Sequence, residues 1–271
     1  MRRQIRALMI GAHPDDCEYL SGGLAVKMRS QGHIVRFVSV TNGEAGHHRM
    51  SGTPLVQRRR EEARCAAGVL GIEHEVLDHP DGRLEADLAT REQIIGLIRR
   101  FQPDLVFTHR PNDYHPDHRR VGTLVQDSSY LIRVPNICPL VPPLSIPPII
   151  LYFQDVFQRP VPFSADVVVA IDDVMGTKVQ ALHCHESQFY EWLPYADGNA
   201  DEVPMGEAAR LAWLGERHRQ WSAAATERCR EALVLRYREE AGREVRYAEA
   251  FEVSEYGRPL PSQEVNDWFP L

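Results

Sequence analysis

With 271 residues and a 43% apolar share, the chain is long enough for one large domain or two modest ones around a sizeable core. A formal charge of −7, from 38 acidic and 31 basic residues, argues against a nucleic-acid partner, because phosphate binding needs a basic surface. No run approaches the ~20 apolar residues of a membrane-spanning helix, and the start MRRQIRALMIGAHPDD turns polar too early for a signal peptide, so a cytoplasmic protein with no membrane span is expected.

Read in chain order, residues 5–12 (IRALMIGA) form a strand and 15–32 a helix closed by Gly32. Residues 33–41 are a second strand, 58–72 a helix and 74–78 a short strand. A helix over 87–101, a strand over 104–109 and a helix over 116–132 follow. This alternation predicts an α/β fold: a Rossmann-like parallel sheet with helices on both faces. The proline-rich segment 133–163 suits extended connections or an edge, with a strand at 149–153 inside it. A strand at 166–171 and a helix at 172–188 come next, and residues from about 204 to 242 favour a C-terminal helical element. The whole reads as a single domain over 1–271, with a core of about 5–190 and a helical extension of about 191–271. The proline-rich edge admits a plain loop or a subunit contact of a homo-oligomer, and the loop is preferred. Five scattered cysteines without a CxxC pair imply reduced, mostly buried thiols.

In open sheets of this kind the chemistry sits beyond the carboxyl ends of the strands. Two segments there share a layout: His13-Pro14-Asp15-Asp16 after the first strand, and His115-Pro116-Asp117-His118 after the strand at 104–109. Proline favours the first helical position, and side chains three apart share a helix face, so each segment aims two potential ligands one way. His13, Asp16, His115 and His118 are nitrogen and oxygen donors suited to zinc or another divalent first-row metal. Four protein ligands would close a structural site; three would leave a corner for a reactive water. Asp15, beside the ligands but off their face, is placed to act as a base.

The chain resembles the PIG-L/LmbE family of zinc-dependent N-deacetylases, on AHPDD at Ala12–Asp16, HPDH at His115–His118, TNGEAG at 41–46, RRREEA at 58–63, PDGRL at 80–84 and HESQ at 185–188. The resemblance covers roughly residues 5–190. It implies His13, Asp16 and His118 as ligands of Zn2+, Asp15 as general base and later acid, and His115 as the stabiliser of the oxyanion, if its imidazole is protonated. Asp117 would fix a histidine tautomer. The implied substrate is a small N-acylated amino sugar or glycoconjugate, with Arg59 and Asp81 touching sugar hydroxyls and Arg60 as the alternative arginine. Tyr114 and His185 are further substrate contacts on this reading. Cys17 stands where the family usually has glutamate, and Glu18 follows.

Taken alone, the HPDD segment is a helix start whose carboxylates complement the macrodipole; HPDH on a neighbouring loop is what outweighs that. His33 and His74 read as strand beginnings, His218 as part of a charged helix, and His109 as a strand end near the site that does not touch the metal. His47 and His48 belong to a loop, and His79-Pro80-Asp81 is a decoy because Gly82 follows. Three other functions compete with the deacetylase: an amidase or esterase on a non-sugar substrate, a sugar or nucleotide binding protein without chemistry, and a purely structural metal site. The absence of GxGxxG after the first strand speaks against a dinucleotide.

Overall fold

The structure is a computed structural model that describes residues 3–271; Met1 and Arg2, the first two residues of the start considered above, lie outside it. β1 (Arg6–Gly11) leads into α1 (Asp16–Ser30), β2 (Ile34–Thr41) into α2 (Thr53–Leu70), β3 (Glu73–His79) into α3 (Leu88–Phe101) and β4 (Leu105–Thr108) into α4 (Pro116–Leu131). Then come β5 (Ile149–Phe153), β6 (Val167–Ala170), α5 (Met175–His183), a π-helical turn over Ser187–Trp192 and α6 (Leu193–Ala196). α7 (Glu207–Arg228), α8 (Arg230–Tyr237), α9 (Glu239–Glu244), β7 (Ala248–Val253) and α10 (Val265–Trp268) complete the chain. No helix among the described residues is long and apolar enough to cross a membrane.

The expected α/β architecture is present, with one departure. Seven strands form one sheet in the order β3-β2-β1-β4-β5-β7-β6. β1 to β5 pair in parallel, and β7 runs antiparallel to both β5 and β6. Sequence reading missed β7, because AEAFEV carries two alanines and two glutamates, residues depleted in strands. Burial overrides that preference: Ala248 and Ala250 pack against Cys229 and Leu233 on one face, and Phe251 packs against Phe107 on the other.

Side chains alternate across a strand, so each strand feeds two apolar layers. Ala7, Met9, Leu105 and Phe107 belong to one layer, with Leu24, Met28, Ala66 and Val179 from α1, α2 and α5. Leu8, Ile10 and Val106 belong to the other, with Ile94, Ile98, Val121 and Leu124 from α3 and α4. Both faces of the sheet are therefore covered, and its carboxyl edge is left for the loops.

Three further differences from expectation have local causes. α2 begins at Thr53 rather than 58, because Pro54 is accepted in the first turn and Gly52 turns the chain with φ +64°. The helix expected over 172–188 ends at His183, and the chain re-enters through the π-helical turn. Cys65 and Cys184 are joined in a disulfide with Cα atoms 5.8 Å apart, correcting the expectation of thiols throughout; Cys17, Cys138 and Cys229 are free. The pair tethers α2 to the end of α5, two elements that already pack together.

The proline-rich connection is held by one buried side chain. Arg99 donates to the carbonyls of Leu131, Ile132, Val134, Ile137, Cys138 and Val141, satisfying backbone groups that no sheet partner reaches.

Candidate metal centre and active site

The turn after β1 brings Asp16 back against its own strand. The backbone N–H groups of Ala12 and His13 donate to Asp16 Oδ2 at 2.9 and 2.7 Å, and His109 Nε2, just past β4, lies 3.2 Å from the same oxygen. Gly11 permits this approach, since a Cβ there would stand 2.9 Å from Asp16 Cβ. With Oδ2 so engaged, Oδ1 faces His118 Nε2 at 3.4 Å.

The hydrogen-bond network sets both imidazole tautomers. His118, in the first turn of α4, has Nδ1 3.0 Å from Asp113 Oδ1, which leaves a lone pair on Nε2. His13 has Nε2 3.2 Å from both Asp81 Oδ1 and Asp117 Oδ2, which leaves Nδ1 bare. Asp117 is itself fixed by the N–H groups of Gly82 and Leu84 at 2.7 and 3.2 Å. The two bare nitrogens stand 3.3 Å apart, and His13 Nδ1 is 3.4 Å from Asp16 Oδ2.

The spacing of His118 Nε2 to His13 Nδ1 and to Asp16 Oδ1 suits a tetrahedral ion, while His13 approaches the other oxygen of Asp16. Bonds of about 2.0–2.1 Å place neighbouring ligands about 3.3–3.4 Å apart. The electrostatics point the same way. Burial opposes charge on His13, yet its hydrogen bonds to Asp117, Asp16 and Asp81 raise its pKa well above the ordinary value. Burial opposes charge on His118 too, but Asp16 and Asp113 push it up to about 9. Burial works to raise Asp16, but the imidazoles of His118 and His109 hold it well below the usual carboxylate range. The pocket favours positive charge at its centre.

Other donors cluster nearby, in the groupings His13–His115–His118, Asp16–His109–His118 and His13–Asp81–Asp117. The last meets at the protonated Nε2 of His13, on its far side from His118. His109 meets the engaged oxygen of Asp16, so its closeness to the site exceeds what the sequence suggested. Its ring also stacks on His118 with centroids 3.9 Å apart.

Asp15 and His115 open onto one cavity of about 430 Å³, lined also by His13, Asp16, Arg59, Asp81, Tyr114 and Gln188. Burial raises the pKa of Asp15, while the Arg59 guanidinium works to lower it. Arg59 is buried and donates to Asp15 Oδ1 at 2.9 Å. Arg60, the alternative arginine, is half exposed and pairs with Asp78 on the surface. His115 accepts the Asp117 N–H on Nδ1 at 3.2 Å, so its proton sits on Nε2. Burial and the neighbouring His13 and His118 lower its pKa. The neutral ring keeps an N–H to donate, and protonation is not required.

The remaining motifs hold this constellation together. Gly43, at φ +72°, lets the Arg59 guanidinium pass where a Cβ would lie 2.6 Å from Nη1. Gln188 donates to the Gly46 carbonyl at 3.0 Å, and Glu62 accepts from the Ser187 backbone and hydroxyl at 2.9 and 2.6 Å. TNGEAG, RRREEA and HESQ thus interlock behind Asp15.

Two of the expected substrate contacts have protein partners of their own. His185 is fully buried with Nε2 3.4 Å from Glu18 Oε1 and is not among the residues lining the cavity. Asp81 lines the cavity, and its oxygens also meet His13 Nε2 and the Ala45 N–H. Tyr114 is 71% exposed and stands at the cavity mouth. Sequence reading passed over Glu18 and His74. Glu18 is buried, with Oε1 2.9 Å from His74 Nδ1, and His74 Nε2 meets Ser39 Oγ at 2.8 Å. Ser39 in turn donates to the His13 carbonyl at 2.9 Å, so this chain supports the metal-facing turn. The available signal was a glutamate on the buried face of α1. Cys17 points into the core beneath β1 and takes no part.

Residues 8–129 match the PIG-L family, described as GlcNAc-PI de-N-acetylase. The chain is similar to the diacetylchitobiose deacetylase of Thermococcus kodakarensis, 32% identical over 206 residues, spanning 70% of this chain and 74% of that one. It is also similar to the 4-oxalmesaconate hydratase of Pseudomonas putida, 28% identical over 200 residues, 71% of this chain and 77% of that one. In three dimensions it resembles the N,N'-diacetylchitobiose deacetylase of Pyrococcus horikoshii, with TM-score 0.69 and 26% identity, covering 93% of this chain and 84% of that one. A deacetylase relative of this identity and coverage, together with two paired motifs meeting at one edge of the sheet, makes the chain a member of the PIG-L family.

Proposed function

We propose that this protein is a metal-dependent hydrolase that removes an N-acyl group, acetyl in the simplest case, from a small amino sugar or glycoconjugate. The observation that carries the reading is the meeting of His13 Nδ1 and His118 Nε2 at 3.3 Å against the Asp16 carboxylate, whose Oδ2 lies 3.4 Å from His13 and whose Oδ1 lies 3.4 Å from His118, beside a cavity that also holds Asp15 and His115. His13, Asp16 and His118 would hold the ion, zinc or another divalent first-row metal. Three protein ligands leave a fourth corner for the reaction. When bound, such an ion supplies Lewis acidity toward a carbonyl and acidifies a water.

The chain's own groups do the rest. Asp15 removes a proton from the attacking water and returns it to the amine as the C–N bond breaks. Its raised pKa, from burial, suits it to hold that proton between the two transfers. His115 donates a hydrogen bond from its Nε2–H to the carbonyl oxygen as negative charge develops there, and keeps its proton throughout. Asp117, Asp81 and Asp113 keep the imidazoles of His13 and His118 in the tautomers that present lone pairs. Arg59 fixes the Asp15 carboxylate, and the polar floor around Asp81 and Gln188 receives the sugar. The diacetylchitobiose deacetylase relative supports the amino-sugar assignment. Localisation in the cytoplasm belongs to the same proposal and is tested by fractionation; light scattering decides between a plain loop and a subunit contact at the proline-rich edge.

The test is a screen of N-acetylated amino sugars and their conjugates for released acetate and free amine, with chelated and metal-reloaded protein. Acetate release that disappears on chelation and returns with zinc is expected, with the circular dichroism spectrum retained. Absence of release from every N-acyl sugar by metal-loaded protein overturns the reading. Hydration of an unsaturated dicarboxylate instead would place the chain with its hydratase relative.

A further inference from the structure

A second cavity, of about 210 Å³, lies on the other side of the metal-facing residues. Asp16 and Tyr114 line both cavities, so the two meet at the centre. Their chemistry differs. The first carries Asp15, His115, Arg59 and Asp81, whereas the second is walled by Leu20, Phe153, Val156, Phe157, Trp221 and Ala225. Its buried polar neighbours are already engaged: Arg110 pairs with Asp155 at 3.1 Å, and Gln154 donates to the Ala225 carbonyl at 3.2 Å. The exposed Arg228 and Tyr114 stand at the rim.

We infer that this apolar cavity receives the acyl part of the substrate, and that the preferred acyl group is an apolar one larger than acetyl. The inference rests on the hydrolase reading above and deepens it. Asp15 must reach the departing nitrogen, so the amine occupies the polar cavity. The other substituent on the carbonyl carbon then points away, across Asp16 and His118, into the apolar one. An acetyl methyl is about the size of a water molecule, ~30 Å³, and leaves most of that space unfilled. The reaction balances as an ordinary amide hydrolysis: water adds to the carbonyl carbon, the C–N bond breaks, and a carboxylate and a protonated amine leave.

The test compares kcat/KM for N-acetyl-, N-butyryl-, N-hexanoyl- and N-phenylacetyl-glucosamine on the metal-loaded protein, read by amine release. Each buried methylene is expected to raise kcat/KM about fourfold, so hexanoyl exceeds acetyl by well over tenfold. The phenylacetyl arm separates an aryl guest from a linear one. Val156 is 59% exposed, so Val156→Trp fills the cavity from a surface loop and should bring the hexanoyl-to-acetyl ratio close to one. Phe157→Ala enlarges the cavity and should move the optimum to longer chains. Acetyl turned over as well as or better than hexanoyl, or a ratio unmoved by both variants, overturns the inference while leaving the hydrolase reading intact. Failure to hydrolyse any of the four removes that reading and this one with it.

Discussion

Arg59 Nη2 donates to Asp15 Oδ1 at 2.9 Å from a guanidinium that is itself enclosed behind the cavity floor. The carboxylate proposed to move protons is thereby held in one rotamer, with its second oxygen left to the cavity. Asp15→Asn keeps the shape and the neighbouring ligands, so kcat should fall about 10²–10⁴-fold with bound metal unchanged by elemental analysis. Arg59→Lys cannot span the same gap, and a misplaced Asp15 should cost about 10²-fold in kcat. Loss of metal in either variant would show instead that these residues maintain the ion.

His218 provides a stability switch remote from that chemistry. It is buried against Tyr19 and Trp221, and burial, followed by the nearby Lys178 and Arg219, lowers its pKa well below 6.5. Below pH 6.5 the unfolded chain therefore binds a proton at this site that the folded chain refuses, and stability declines as pH falls. The slope is at most about 1.4 kcal/mol per pH unit for one proton. Urea midpoints at pH 7.5 and 5.0 should differ less in His218→Phe than in the parent protein. An equal difference in the two proteins would remove His218 from the account.

Lys178 and Glu249 form an enclosed ion pair at 2.7 Å between α5 and β7, and Glu249 also accepts the N–H groups of Gly23 and Leu24 at 2.8 and 2.7 Å. Lys178→Met strands a buried carboxylate and should destabilise the fold by about 3–5 kcal/mol in urea unfolding. A change below about 1 kcal/mol would mean that water reaches Glu249 in solution.

The tether between Cys65 and Cys184 is checked by counting thiols. Denatured but unreduced protein should react at Cys17, Cys138 and Cys229 only, and two further thiols should appear after reduction. Closing a loop of sequence separation 119 should stabilise the fold by about 2–4 kcal/mol relative to a Cys65→Ser/Cys184→Ser variant. Five reactive thiols without reductant would refute the bond.

The first six strands were legible from their apolar runs, the first four because these alternate with amphipathic helices, and the paired HPDD and HPDH segments announced a common focus at one sheet edge. What escaped was set by long-range contact. Nothing local marks Ala248–Val253 as a strand, because its stability comes from insertion between β5 and β6. Of the HESQ segment the sequence singled out His185 as a substrate contact; in the fold Gln188 lines the cavity and His185 faces Glu18. Glu18 and His74 lie 56 residues apart, and only the parallel packing of β1, β2 and β3 reveals them as partners. The disulfide was equally invisible, since its cysteines are separated by four strands and carry no spacing motif.

Among the described residues, β6 pairs within the sheet with β7 alone. Residues 167–170 therefore have no strand neighbour until residues 248–253 are laid beside them. α5 and the turn that presents Gln188 follow directly on β6, so one wall of the cavity is anchored by a pairing made far along the chain from the HPDD and HPDH segments.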